Sequence, residues 1–474
     1  GAAQADTAAL VASALRGAGG TGPADAGRRT DRANPIYDAS RYQKKAAEVP
    51  NGVLYEVSAP DQASQKVLHV FGDAHERGVA AGQLLSSELR AFIDVDLPAF
   101  YSLLVRQYAD EHLPAWLPAR GTIAHAAARA APSVLDTMLA VLLRMQRPFL
   151  EASRSAFFAE IAGLARGVCL GSGGAAPGPA GRACDEASLA QRIAQLNMLP
   201  EMLRMRCSML GAWGEAVAPS GGRPAGLVQM RTLDFGAGPF ANASMVSVHH
   251  ATDGAGSFAM VTFPGFVGAV TGFSEHIAVS EKVDLTQGKA LPGTYRGQAV
   301  ASVIRDILQF ARSSEDAVAI AQKAQRTWPV WLGVGDSANR FVAMAYGMNE
   351  VAVFDESSLP NATGQPAFKD LAYIDKHPQP SQDGPAGALP TALRALYGKL
   401  SGAVVAQNIP RLTQSGDVHI AVCDFGNRAV FVASGTTDPS GGSFVRKAYE
   451  APYLQFDMDA LWAEPRPHGV TAVV

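Results

Sequence analysis

The sequence predicts an α+β layered fold built on antiparallel sheets. Three observations predict it. After Cys207 come short β-branched or aromatic segments separated by Gly-rich turns, then a helical pair at 298–325, then a second set of strand-like segments in the last third. A chain of 474 residues can bury a large core, with about two or three domains expected for that length. Hydrophobic residues make up 48% and charged ones 18%, an ordinary globular balance. The net charge of −3 and the lack of a basic run argue against nucleic acid or an anionic membrane as partner. No apolar run approaches the ~18 residues that a membrane span needs.

Residues 1–34, rich in Ala, Gly, Asp and Arg, read as a disordered segment. "GVLYEV" and "KVLHVF" follow as strands. From His75 to about Gln146, Leu, Phe and Val recur at steps of three and four, the period of helices. Another helix covers "SAFFAEIAGLARGV". A Gly/Pro loop at 171–181 interrupts, and a helical stretch bent at Pro200 runs to about Arg206. Beyond Cys207, "SMLGAWGEAV", "GLVQMRTLDF", "ASMVSVHHA", "SFAMVTF" and "HIAVSEKV" read as strands. Helices return at 298–313 and 314–325. "VWLGVG", "RFVAMAY", "EVAVF", "DVHIAVCDF" and "AVFVASG" are strands again, the last two joined by a Gly426-Asn427 turn.

The chain opens without methionine, which reads as a mature or trimmed start. Two sequons, Asn242-Ala-Ser244 and Asn361-Ala-Thr363, fit secretion. Cys169 and Cys184 flank a Gly-rich loop and are either a disulfide of an oxidising compartment or two free thiols. No metal site or cofactor is expected. His249 and His250 are adjacent, so on a strand they face opposite sides, and the cysteines lack paired short spacing. Gly272, Ser274 and His276 imitate a serine-hydrolase elbow but put histidine where its last glycine belongs. The glycine-rich loops lack the Gly-Lys-Ser/Thr ending of a phosphate cradle. "YIDKHPQP", 373–380, reads as a solvated loop.

Cys207 stands where helical sequence gives way to strands. If the hairpin after it turns at "SGGR", 220–223, the cysteine lies opposite about position 236 and one diagonal step from Asp234. Arg231 is farther, but its long side chain can reach back. Positions 231 and 234 face opposite sides of a regular strand, so serving one site requires a strand end or bulge between them. Chemically the trio is coherent. A guanidinium favours the reactive thiolate. A chain-terminal amine, with a pKa near 7.7–8.0, is a suitable base where no histidine offers itself. Cutting the Arg206–Cys207 bond would create that amine on Cys207, and Asp234 could hold it.

The cysteine followed by a hairpin ending in Arg231-Thr-Leu-Asp234 resembles the N-terminal-nucleophile hydrolases. Within them it looks most like the acid ceramidase, penicillin V acylase and penicillin-biosynthesis acyltransferase type. "TFPGFVGAVTGFSEHIAVSEK", 262–282, and "LHVFGDAHERGVAAGQLL", 68–85, carry the same resemblance. It implies a four-layer αββα sandwich, antiparallel sheets flanked by helices. It also implies a mostly helical pro-segment at 35–206 and a catalytic domain at 207–474, the two cleaved chains staying associated. By position, Cys207 would be the nucleophile, Arg231 the partner of thiolate and substrate, and Asp234 the amine holder. Glu281 lies near a family acidic position. The family also draws an oxyanion-hole asparagine from a later strand. Here "LGVGDSANRF" offers Asp336 with Asn339 three residues on, and a carboxylate repels an oxyanion unless protonated. The function so implied is an autoproteolytically activated amidase for linear N-acyl amides, working through an acyl-cysteine intermediate. Alternatives are an acyltransferase, a phospholipase B-like esterase, and a non-catalytic binding scaffold. The resemblance and the sequons point to a lysosome-like or secreted compartment. The uncharged stretch 259–273, with Phe263, Phe266, Val267, Val270 and Phe273, is expected to give an apolar channel beside Gly265, Gly268 and Ala269, suiting a fatty acyl chain.

Overall fold

A computed structural model describes residues 33–102, 120–171, 184–201, 206–220, 222–236, 238–252, 255–283, 295–376, 387–439 and 442–467. Two large sheets lie face to face. The first has seven strands, in the order Ile36–Asp38, Tyr453–Asp457, Ala429–Ser434, His419–Asp424, Val228–Asp234, Arg206–Ala212 and Leu371–Ile374. The second has ten: Val351–Phe354, Phe341–Tyr346, Val330–Asp336, Ile277–Val283, Thr271–Ser274, Phe258–Thr262, Met245–Ala251, Gln65–Gly72, Gly52–Val57 and Gln43–Val49. Neighbours are antiparallel except Ile36–Asp38 on Tyr453–Asp457 and Gln65–Gly72 on Met245–Ala251.

Alternation along the strands sorts the layers. Met209, Val246, Val261, Phe341, Cys423 and Val432 point inward and fill the space between the sheets. Their sequence neighbours point outward. Leu210, Met230, Val422 and Phe431 are covered by helices Ala388–Leu396 and Gly402–Thr413. On the other side, Phe258, Met260, Val279, Leu332 and Val334 meet helices Val300–Phe310 and Ser314–Lys323. Leu54, Leu68 and Val70 meet helix Ala74–Leu84. Helices, sheet, sheet, helices: the four-layer αββα sandwich is the fold.

Helix Ala74–Leu84 starts on a capping box between Asp73 and Glu76 and packs along helix Phe157–Gly171 through a seam of glycines. A Cβ on Gly78 would stand 2.2 Å from Glu160 O, and one on Gly167 would stand 2.1 Å from Val79 O. Only glycine allows this approach. Beside the seam, Glu160 is buried between Arg77 (3.6 Å) and Arg305 (2.7 Å), which ties the helices to Val300–Phe310.

The described residues before Cys207 are mostly helical, yet they also enter both sheets. The segment before it supplies Ile36–Asp38 to one sheet and three adjacent strands to the other. Gln43–Val49 escapes sequence reading because it is a polar, exposed edge strand. Of the 1–34 segment, residues 1–32 lie outside the described residues. Asn34 is buried, donating to Tyr449 O at 2.8 Å. Cys169 and Cys184 are disulfide-bonded, with Cα atoms 5.5 Å apart. Among the described residues no helix is long and apolar enough to cross a membrane.

Candidate active site

Cys207 begins the site. Its strand pairs with Val228–Asp234 in one unbroken register, from Arg206↔Asp234 through Cys207↔Leu233 to Ala212↔Val228. The turn at Ser220 and Arg223 forms as expected, yet the cysteine faces position 233 rather than about 236. The two arms differ in length: 213–219 includes a one-turn helix, Gly214–Ala216, and outruns 224–227 by three residues. No bulge falls between Arg231 and Asp234. Alternation therefore sends Cys207, Arg231 and Leu233 toward the second sheet, and Ser208, Thr232 and Asp234 to the other face.

Arg231, 1% exposed, is the hub of the inner face. Its Nη2 donates to Cys207 Sγ at 3.4 Å and to Glu281 Oε2 at 2.9 Å, and its Nε donates to Glu281 O at 3.1 Å. Nη1 lies 3.2 Å from His419 Nε2. Arginine only donates, so Nε2 accepts and the imidazole proton sits on Nδ1, 3.4 Å from Ser244 Oγ. Burial, reinforced by Arg231, holds His419 well below its ordinary pKa and keeps it neutral. Burial pushes the Glu281 carboxyl above its usual range, and Arg231 pulls it back. Glu281 is thus no surface carboxylate at a strand end; it is 2% exposed. Burial also pushes the Cys207 thiol up to about 12, against the guanidinium. A thiol so placed keeps its proton.

Asp234 works on the outer face. Oδ2 accepts from Ser415 Oγ (3.0 Å) and Gly416 N (2.9 Å), and Oδ1 accepts from Lys376 Nζ at 2.5 Å. Asp417 lies alongside, accepting from Phe235 N (2.8 Å) and Gly236 N (3.1 Å). Burial, then the nearby Asp234 charge, raises it to about 6. Asp234 therefore does not reach the thiol, but it stands opposite Arg206, on the strand carrying the 206–207 peptide.

An apolar cavity of about 30 Å³ opens beside Leu233, lined by Leu196, Leu199, Phe240, Phe263, Phe266 and Val270 among others. It has room for about two waters. Of the expected channel residues, Val267 is packed in the helical core and Phe273 lies between the sheets. Gly265 and Gly268 do not line it; they admit Leu196 and Ala301 at close range.

Asp336 and Asn339 are not brought to Cys207. Asp336 pairs with Ile277, four residues, or roughly 13 Å, along its strand from Leu332, the partner of Glu281. Its carboxylate accepts from Ser314 N and Oγ (3.0 and 2.8 Å) and from Ala338 N and Arg340 N, closing a helix start and a turn. Asn339, at φ 65°, accepts from Leu227 N at 2.7 Å. Asn242 of the first sequon is bonded to Thr437, whereas Asn361 is exposed. His249 turns to Glu160 (3.8 Å) and His250 to His69 (3.1 Å), on opposite faces as alternation requires. Among the described residues no three His, Cys, Asp or Glu side chains form a group able to hold a metal. Sequence reasoning missed His419, Lys376 and Ser415. The only sign of the first was a histidine inside the apolar run "DVHIAVCDF". For the second it was the odd "YIDKHPQP", where Asp375 and Lys376 prove largely buried and 377–380 lie outside the described residues.

Two largely antiparallel sheets lie between helices, with a cysteine near the head of the strand next to one sheet edge and an arginine on its sulfur. No family model matches the chain. Two proteins of Dictyostelium discoideum are similar to it. Protein dcd1B is 28% identical over 89% of this chain and 79% of its own length; protein dcd1A is 28% identical over 91% and 93%. Among solved structures, an N-acylethanolamine-hydrolyzing acid amidase ortholog from Caenorhabditis elegans aligns with 46% of this chain and 93% of its own (15% identity, TM-score 0.31). Penicillin V acylase from Agrobacterium tumefaciens aligns with 54% and 89% (12% identity, TM-score 0.31).

Proposed function

We propose that this chain is a cysteine amidase, activated by its own cleavage between Arg206 and Cys207, that hydrolyses linear N-acyl amides. The observation that carries the reading is Arg231 Nη2 at 3.4 Å from Cys207 Sγ, on a strand pair that sets Asp234 opposite Arg206. In maturation, the sulfur attacks the Arg206 carbonyl carbon and the peptide C–N bond breaks. The nitrogen takes the thiol proton, and water cleaves the resulting thioester to an Arg206 carboxylate and a free thiol. In turnover, the new α-amine takes the thiol proton and the thiolate attacks the substrate carbonyl. The departing amine receives that proton, and water resolves the acyl-cysteine. Arg231 stabilises the thiolate, while Glu281 and neutral His419 fix the guanidinium without a second positive charge. The exclusively apolar cavity beside Leu233 supports a fatty acyl group. The Cys169–Cys184 disulfide supports an oxidising, secreted or lysosome-like compartment, where exposed Asn361 would carry a glycan.

The test is the mass of the chains. Active protein is expected as two fragments, the second starting at Cys207, and Cys207→Ala as one intact chain. Active wild-type protein that stays intact would refute the reading.

A further inference from the structure

Lys376 is placed oddly for a loop lysine. It follows the edge strand Leu371–Ile374, which pairs with Arg206–Ala212 on the side away from Val228–Asp234. Its main-chain N–H donates to Ser208 Oγ at 3.0 Å, while its Nζ donates to Asp234 Oδ1 (2.5 Å) and Gln414 O (2.6 Å). From one neighbouring strand to the other is two inter-strand spacings, roughly 9.6 Å. The side chain therefore crosses the nucleophile strand at its start, between Ser208 and the Arg206↔Asp234 pair, over the peptide whose cleavage is proposed above. Only 9% of it is exposed.

Before cleavage there is no α-amine for Asp234 to hold, and a carboxylate this buried needs a cation. After cleavage the new amine and the Lys376 ammonium stand beside the same carboxylate. A fixed positive neighbour disfavours protonation of an amine. Resting on the proposed function, we propose that Lys376 is a positioning residue: it holds Asp234 at the scissile peptide before cleavage and afterwards keeps the Cys207 amine unprotonated, ready to take the thiol proton. Among the described residues, the charged or titratable groups around this point include the buried Asp375 next to Lys376, Asp417 from the 414–418 turn, Tyr449 from the one-turn helix beneath it, Arg231 and Cys207 on the paired strands, and Glu281 and Lys282 from the second sheet. Asp417 and Glu281 work in the opposite sense to Lys376. Of these groups and Lys376, it is the Lys376 ammonium that hydrogen-bonds Asp234, beside the neutral Ser415 hydroxyl.

The experiment compares kcat/KM against pH for the mature enzyme, Lys376→Met and Lys376→Arg, with the dodecanoyl amide of 7-amino-4-methylcoumarin as probe. Lys376→Met is expected to mature and to move the acidic limb upward by about one pH unit, while Lys376→Arg leaves it in place. An unmoved limb in mature Lys376→Met overturns the proposal. If Lys376→Met fails to mature, Lys376→Gln takes its place with the same two readings. If neither uncharged variant matures while Lys376→Arg does, the lysine acts on cleavage alone and the proposal is overturned. Wild-type protein that is active without being cut would instead refute the proposed function, so the two failures are distinct.

Discussion

Arg231 touches three partners that each answer to a different demand. Glu281 neutralises it, His419 accepts from it without adding charge, and Cys207 receives what remains of its field. Removing one member of a buried ion pair strands the other, at a cost of about 3–5 kcal/mol. Arg231→Met is thus expected to lose that much stability in denaturant titration, and Arg231→Met with Glu281→Met to regain most of it. Equal losses in the single and double variants would mean that Glu281 is satisfied by other groups. A second residue-scale effect concerns acid. Asp417 is raised to about 6 from an ordinary 3.8, so the folded state holds its proton between those values and gains stability as pH falls through that window. His250 and His69 are lowered by burial, to about 4 and about 3, so the unfolded state takes up their protons first and stability falls below about 6.5. The two tendencies oppose. Asp417→Asn should therefore lose more stability between pH 7 and 4.5 than the wild type, read as the change in Tm. Parallel pH curves for the two would remove Asp417 from this role.

At the scale of elements, the glycine seam explains how a helix pair can lie so close over the second sheet. Gly78 and Gly82 on one helix face Gly163 and Gly167 on the other, each meeting backbone atoms. A methyl on Gly167 would meet Val79 O, which cannot rotate away, so the helices must part. Gly167→Ala is expected to cost about 1–3 kcal/mol, the usual range for overpacking, and a neutral result in urea unfolding would show the seam to be loose. Elements with one strong period were legible in the sequence: the strands ending in Asp234, Ala251, Thr262 and Val283, and helices Val300–Phe310 and Ser314–Lys323. The outer helices Ala388–Leu396 and Gly402–Thr413 were not read, because prolines and short apolar steps mask their period. The cysteine and its arginine were legible because a hairpin brings near residues together. Glu281 was only half legible, and His419 and Lys376 not at all. Each arrives across a sheet or across the sandwich, and alternation within one strand says nothing about which distant strand lies opposite.

At the scale of the whole molecule, each sheet is woven from chain on both sides of Cys207, so the proposed cleavage at 206–207 would cut one strand after its first residue without unzipping a layer. What cleavage can change is the wall of the cavity. Leu196, Leu199 and Pro200 belong to the segment that ends at the cut, whereas Phe240, Phe263, Phe266 and Val270 belong to the strands and turns after it. With about 30 Å³ open, this cavity has no room for an acyl group in the uncut chain. Once Arg206 is a free carboxyl terminus, the first wall can withdraw as a unit while the second stays fixed to the sheets. The space gained is apolar on every side, and each methylene buried there contributes about 0.8 kcal/mol, close to fourfold in a specificity constant. With N-acyl amides of increasing chain length and one common amine, kcat/KM should rise by roughly that factor per methylene until the space is filled, then level. Uncut Cys207→Ala should show no chain-length-dependent binding of the same amides. A flat series, or a maximum at acetyl, would mean that the wall does not withdraw and that the acyl group lies elsewhere.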